Sequence, residues 1–115
     1  MQFGTKLEWY DLFNYEDEKR LNIGNVLHNN KTNQDFVVID VDINDQDNYY
    51  SSIELYPLSD FYNLISKSLK INMKDLFKKS ETINYSDFND GDDITYTYKT
   101  SIPIHKSTYI DYDGD

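Results

Sequence analysis

The side chains here with the most chemistry to offer are two histidines and a recurring set of aspartates, and their spacing limits what they can do. Neither His28 nor His105 has a second ligand three or four positions away, and the chain contains no cysteine, so the spacing of a zinc site is missing. The acidic stretch "DFNDGDD", residues 87–93, resembles a calcium loop only in composition. Counted from Asp87, Gly91 falls at position five, where a ligand belongs, and Tyr98 where the closing Glu belongs. Moving Gly91 to its required sixth position places Ser86 and Phe88 at ligand positions. "DVDIND", counted from Asp40, has Asp45 in place of the turn glycine and Ser51 at position twelve. No metal and no cofactor is expected. There is also no G-x-S-x-G, no glycine loop that would cradle a phosphate and no legible Ser–His pairing, so a non-enzymatic protein is expected.

What remains is charge. The chain has 21 acidic and 11 basic residues, a formal charge of −10 over 115 residues. Such a balance disfavours direct phosphate binding and an anionic membrane, and it favours a basic protein as partner. Asp40 and Asp42 alternate along a strand pattern, about 6.7 Å apart on one face. Asp45 and Asp47 continue from them, and Tyr49 and Tyr50 follow. A second acidic run, Asp87, Asp90, Asp92 and Asp93, leads into Tyr96, and Asp111 and Asp113 stand near the end of the chain. Carboxylates match the Lys and Arg that grip phosphates, and Tyr is a favoured interface anchor. These residues form the candidate partner-binding set. Residues 60–80 reverse the sign, with Lys67, Lys70, Lys74, Lys78 and Lys79 against Asp60 and Asp75.

The elements that must position these groups read as a single α+β domain: a small, mostly antiparallel sheet packed by two or three short helices. Thr5 and Glu8 form a capping-box pattern ahead of Leu12 and Phe13, which predicts a helix over 5–13. Residues 24–28 and 35–43 predict a hairpin around the polar turn "NNKTNQ". In its second strand Val37, Ile39, Val41 and Ile43 are expected on one face, with Val38, Asp40 and Asp42 on the other. A third strand is expected over 49–56. Helices follow over 59–70, from the spacing of Phe61, Tyr62, Ile65 and Leu69, and over 73–80. The last third returns to strands, over 94–99 and 108–112.

"LISKSLKINMKDLFKK", residues 64–79, resembles the closing helices of Cro/repressor-type helix-turn-helix domains. The upstream region reads as strands, so no DNA-reading residue is carried over. In size, acidity and lack of a catalytic motif the whole chain is similar to anti-CRISPR and DNA-mimic proteins. That resemblance implies an inhibitor, phage-encoded given the AT-rich composition, that blocks the nucleic-acid site of a basic enzyme such as a CRISPR nuclease or restriction enzyme. An immunity protein against a basic toxin shares the same features, and an adaptor using Lys67–Lys79 is a third reading. With no basic leader and no apolar run of the roughly 20 residues that span a bilayer, a cytoplasmic protein is expected.

Overall fold

A computed structural model describes residues 4–14, 21–43, 49–67, 71–72, 76, 78–87, 96–102, 104 and 109–110. In chain order these give β1 (Lys6–Leu7), α1 (Trp9–Phe13), β2 (Asn25–Asn29), β3 (Gln34–Ile43), β4 (Tyr50–Pro57), α2 (Leu58–Lys67), β5 (Ile71–Asn72), β6 (Glu81–Asn84), a 3-10 turn (Tyr85–Asp87), β7 (Tyr96–Ser101) and β8 (Tyr109–Ile110). Six strands pair antiparallel in the order β1-β7-β2-β3-β4-β6, and β5 pairs with β8 in parallel as a separate small sheet.

The main sheet curls into a half-barrel and dominates the described residues, which corrects the expected α+β class toward all-β, with one substantial helix among the described residues. The reason lies at the N-terminus. Gly4 adopts a φ of 85° and its N–H donates to the Tyr98 carbonyl at 2.6 Å, while Tyr98 N–H donates to the Thr5 carbonyl at 2.9 Å. These bonds draw Lys6 and Leu7 into strand pairing with β7. The helix therefore begins three residues after the expected cap. Asp11 accepts from the Glu8 N–H at 3.0 Å, the return bond expected of Glu8 toward Thr5, and the Glu8 carbonyl accepts from the N–H groups of Asp11 and Leu12. Only five residues remain helical, with Leu12 and Phe13 fully buried.

The hairpin forms where the sequence pattern puts it. Asn29 Oδ1 accepts from the N–H groups of Lys31 and Thr32, and Asn33 takes the left-handed conformation at a φ of 60°. Asn tolerates that conformation better than most residues. The helix expected over 59–70 is α2, described to Lys67. Most of the stretch expected as a helix over 73–80 lies outside the described residues. Within it, Leu76 is buried and its carbonyl accepts from Lys79 and Ser80. β6 was not expected at all, and of the strand expected over 108–112 the described part, Tyr109–Ile110, pairs with β5 rather than with the main sheet.

Both faces of the sheet carry apolar packing. The inner, concave face packs Leu27, Phe36, Val38, Ile53, Leu55 and Tyr98 against Leu12, Phe13 and Leu21. On the outer face, Phe61 of α2 and Leu76 lie on Val37, Ile39 and Tyr56.

A bulge in β3 sets which acids face which way. Val38 pairs with Leu55, but the next cross-strand pair is Asp40 with Glu54, leaving Ile39 as the extra residue. The bulge reverses the alternation. Val38 and Val41 pack toward the inner face, while Asp40 and Asp42 stand on the outer face with Val37 and Ile39. This corrects the expected grouping of Val38 with the two aspartates.

Candidate protein-binding face

Beyond the apolar patch under α2, the outer face becomes acidic. Asp40 on β3 is the direct cross-strand partner of Glu54 on β4, and Asp42 is the partner of Ser52. The next strand continues both rows, with Thr82 beside Glu54 and Asn84 beside Ser52. Glu54 is held in place by two hydroxyl donors. Ser80 Oγ donates to Oε2 at 2.7 Å and Thr82 Oγ1 donates to Oε1 at 2.5 Å. With both oxygens accepting, the side chain is fixed in orientation.

Asp40 is half-buried. Burial raises its pKa above the ordinary value, and the neighbouring charges of Glu54 and Asp42 push it the same way. Among the described residues, no Lys, Arg or His is paired with Asp40, Asp42 or Glu54.

The fold also brings the first member of the second acidic run to this face. Asn84 Nδ2 donates to Asp87 Oδ2 at 3.1 Å, and Asp87 is exposed at the end of the 3-10 turn after β6. Asp42, Ser52 and Asn84 are successive cross-strand neighbours, so Asp87 stands at the border of the Asp40–Asp42 patch. Asp45, Asp47, Asp90, Asp92, Asp93, Asp111 and Asp113 lie outside the described residues.

The tyrosines of the candidate set have other placements. Tyr50 and Tyr96 are only 3% and 5% exposed and belong to the inner core. The Tyr50 hydroxyl donates to the Leu21 carbonyl at 2.7 Å, and Asn29 Nδ2 donates to the Tyr96 hydroxyl at 3.4 Å. Burial, with the nearby charge of Glu81, raises the Tyr96 pKa. Tyr49 is half-buried and stacks on Tyr85, ring centroids 3.7 Å apart, with Tyr85 edge-on to Phe13. Of the aromatic anchors expected, Tyr49 is the one left partly at the surface.

Two groups on the outer face escaped the sequence reading. Glu54 is one. Its only signal is that it alternates with Ile53 and Leu55, and its partnership with Asp40 depends on the bulge. The other is a charged cluster at the opposite end of the apolar patch. His28 Nδ1 and Asp35 Oδ1 are 2.6 Å apart, and Lys99 Nζ lies 3.3 Å from Asp35 Oδ2. His28 and Asp35 are cross-strand partners, so the cluster ties β2, β3 and β7 together. Burial raises the pKa of Asp35, but the hydrogen bonds to His28 and Lys99 outweigh it and hold the carboxyl below its ordinary value. A carboxylate engaged on both oxygens by its own sheet serves as a clamp. Among the described residues, no group of three His, Cys, Asp or Glu is placed to hold a metal ion, and no helix is long and apolar enough to cross a membrane.

Comparison of the chain with protein-family models, with curated proteins and with solved structures finds no match.

Proposed function

We propose that this chain is a small acidic inhibitor whose outer sheet face docks on a basic nucleic-acid-handling protein and occupies its phosphate-binding surface. The observation that carries the reading is the Asp40–Glu54–Asp42 group: three carboxylates on one face of adjacent strands, with no paired cation among the described residues. Like charges placed directly opposite each other weaken a strand pair. A sequence that keeps them together bears a small loss in its own stability, which an arginine or lysine of a partner would relieve. Guanidinium forks that bind phosphate bind carboxylate by the same geometry. The two hydroxyls on Glu54 preorganise one acceptor, so less side-chain ordering is needed on binding.

The remaining charge of the chain acts at longer range. A net charge of −10 speeds encounter with a basic surface, an effect screened beyond about 8–10 Å at physiological salt. Association with the partner is therefore fast at low ionic strength and slows as salt is added.

The test is affinity capture from host lysate with the wild-type chain and with an Asp40→Asn/Asp42→Asn variant, washed at low and at high salt. A basic nucleic-acid-binding protein that is retained at low salt, and lost with the variant, supports the reading, and the purified pair must then show loss of nucleic-acid binding. Capture that is indifferent to salt and to both substitutions overturns it.

A further inference from the structure

The described sheet ends at β6, a four-residue strand whose far side is paired with no other strand among the described residues. Its residues and flanks are self-complementary. Ile83 is one of its two middle residues and packs against the inner core, with Thr82 and Asn84 on either side directed to the outer face. Lys78 and Lys79 precede the strand in an exposed turn, and Asp87 ends the exposed turn that follows it. Basic residues thus lie at one end of the edge and a carboxylate at the other. Among the described residues Lys79 and Asp87 have no ion-pair partner.

We propose that β6 is a homodimerisation edge, at which two copies of this chain pair their β6 strands antiparallel about a two-fold axis. Outward-facing amides recur on alternate residues, so a two-fold pairing must place a residue opposite its own copy. Centring on Ile83 sets Ile83 against the second copy's Ile83 on the inner face, an apolar cross-strand pair. The same register sets Thr82 opposite Asn84 on the outer face. It also brings the turn carrying Lys79 over the second copy's turn carrying Asp87, twice by symmetry. Centring on Thr82 would instead set Ile83 opposite Glu81, so the Ile83 register is the better match.

The net charge of −10 on each copy opposes association, and the strand is short, so the dimer is a weak one. Its consequence is geometric. The main sheet continues across the axis, and the Glu54 carboxylates of the two copies stand three strand spacings apart across the sheet and two residues apart along it, about 16 Å, on one outer surface. The dimer depends on the edge and its charges, and not on whether the acidic face binds a partner.

The test is sedimentation equilibrium of the full chain from micromolar to millimolar concentration, with amide chemical shifts followed on dilution. Expected are a monomer–dimer equilibrium and shifts concentrated at Thr82, Ile83 and Asn84. Lys79→Glu and Asp87→Lys, both on exposed residues that leave the core intact, should each weaken the dimer at least about fivefold, because two pairs are lost together. The double variant should regain most of the loss. A chain that stays monomeric throughout overturns the proposal. So does a dimer that ignores both reversals, or one whose dilution shifts lie elsewhere.

Discussion

Asp40 and Glu54 face each other across β3 and β4 as direct cross-strand partners, two carboxylates with unequal surroundings. Glu54 accepts from Ser80 and Thr82, whereas Asp40 is desolvated and feels both Glu54 and Asp42. The pair is an electrostatic liability carried mainly by one of its members.

That asymmetry gives opposite outcomes for two conservative substitutions. The Asp40 pKa is raised on folding, so its penalty is absent below the unfolded value of about 3.9 and grows as pH rises through the raised folded value. Asp40→Asn should therefore stabilise the fold by about 0.5 kcal/mol at pH 7 and leave it unchanged at pH 3. Glu54→Gln removes an acceptor from one of two hydroxyls and should cost about 1 kcal/mol at pH 7. Urea midpoints at the two pH values decide it, and equal effects of the two substitutions would refute the asymmetry.

Asp35 behaves in the reverse sense. Its folded pKa is held below the ordinary value by His28 and Lys99, so its contribution is present above the unfolded value of about 3.9 and is lost as pH falls through the folded one. Asp35→Asn should cost about 1 kcal/mol at pH 7, discounted for its partial exposure, and Lys99→Met about 0.3 kcal/mol. The gap between wild type and Asp35→Asn should close in acid. Denaturation curves from pH 7 down to pH 2 test this directly.

The hairpin, β4 and α2 were legible in the sequence because each is signalled locally: Asn-rich turn chemistry, two-residue alternation and the spacing of Phe61, Tyr62, Ile65 and Leu69. The misread elements are those fixed by distant contacts. Lys6 and Leu7 carry a helical pattern but are claimed by pairing with Thr97 and Tyr96, about ninety positions along, next to the Gly4 and Thr5 bonds to Tyr98. The bulge at Ile39 has no composition of its own, since five apolar residues from Phe36 to Val41 suit either face once both faces are covered. Whether Asp40 meets Glu54 depends on that bulge, so the acids were visible individually and their grouping was not. β6 is too short and too polar to stand out, and it is a strand because β4 offers it an edge.

Gly24 is a position where backbone geometry leaves no alternative. Its φ is 97°, and a Cβ there would stand 2.3 Å from the Ile102 carbonyl oxygen. The same residue joins β3 and the end of β7 to the start of β2, through its N–H to Val38 and its carbonyl to the Ile102 N–H. Gly24→Ala should cost about 3 kcal/mol, from the left-handed backbone together with the clash. Gly4, at a φ of 85° with open space around it, serves as the control, and Gly4→Ala should cost only about 1 kcal/mol. Thermal melts of the two variants should differ accordingly, and similar losses would mean that the approach to Ile102 is not tight.

Tyr50 separates a role in folding from a role in binding. Beside four acids in sequence it reads as an interface anchor, because Tyr carries both apolar area and a polar tip. The structure uses both properties internally, burying the ring in the inner core and donating the hydroxyl to the carbonyl of Leu21, itself fully buried. Tyr50→Phe keeps the ring and strands that carbonyl without its donor, which should cost about 1–2 kcal/mol of stability. Affinity for a basic partner should be unchanged by Tyr50→Phe once the protein is folded, whereas Asp42→Asn, on an exposed residue, should leave stability near wild type and weaken binding. Measuring both quantities for both variants crosses the two roles. A Tyr50→Phe protein of normal stability and reduced affinity would return Tyr50 to the binding face.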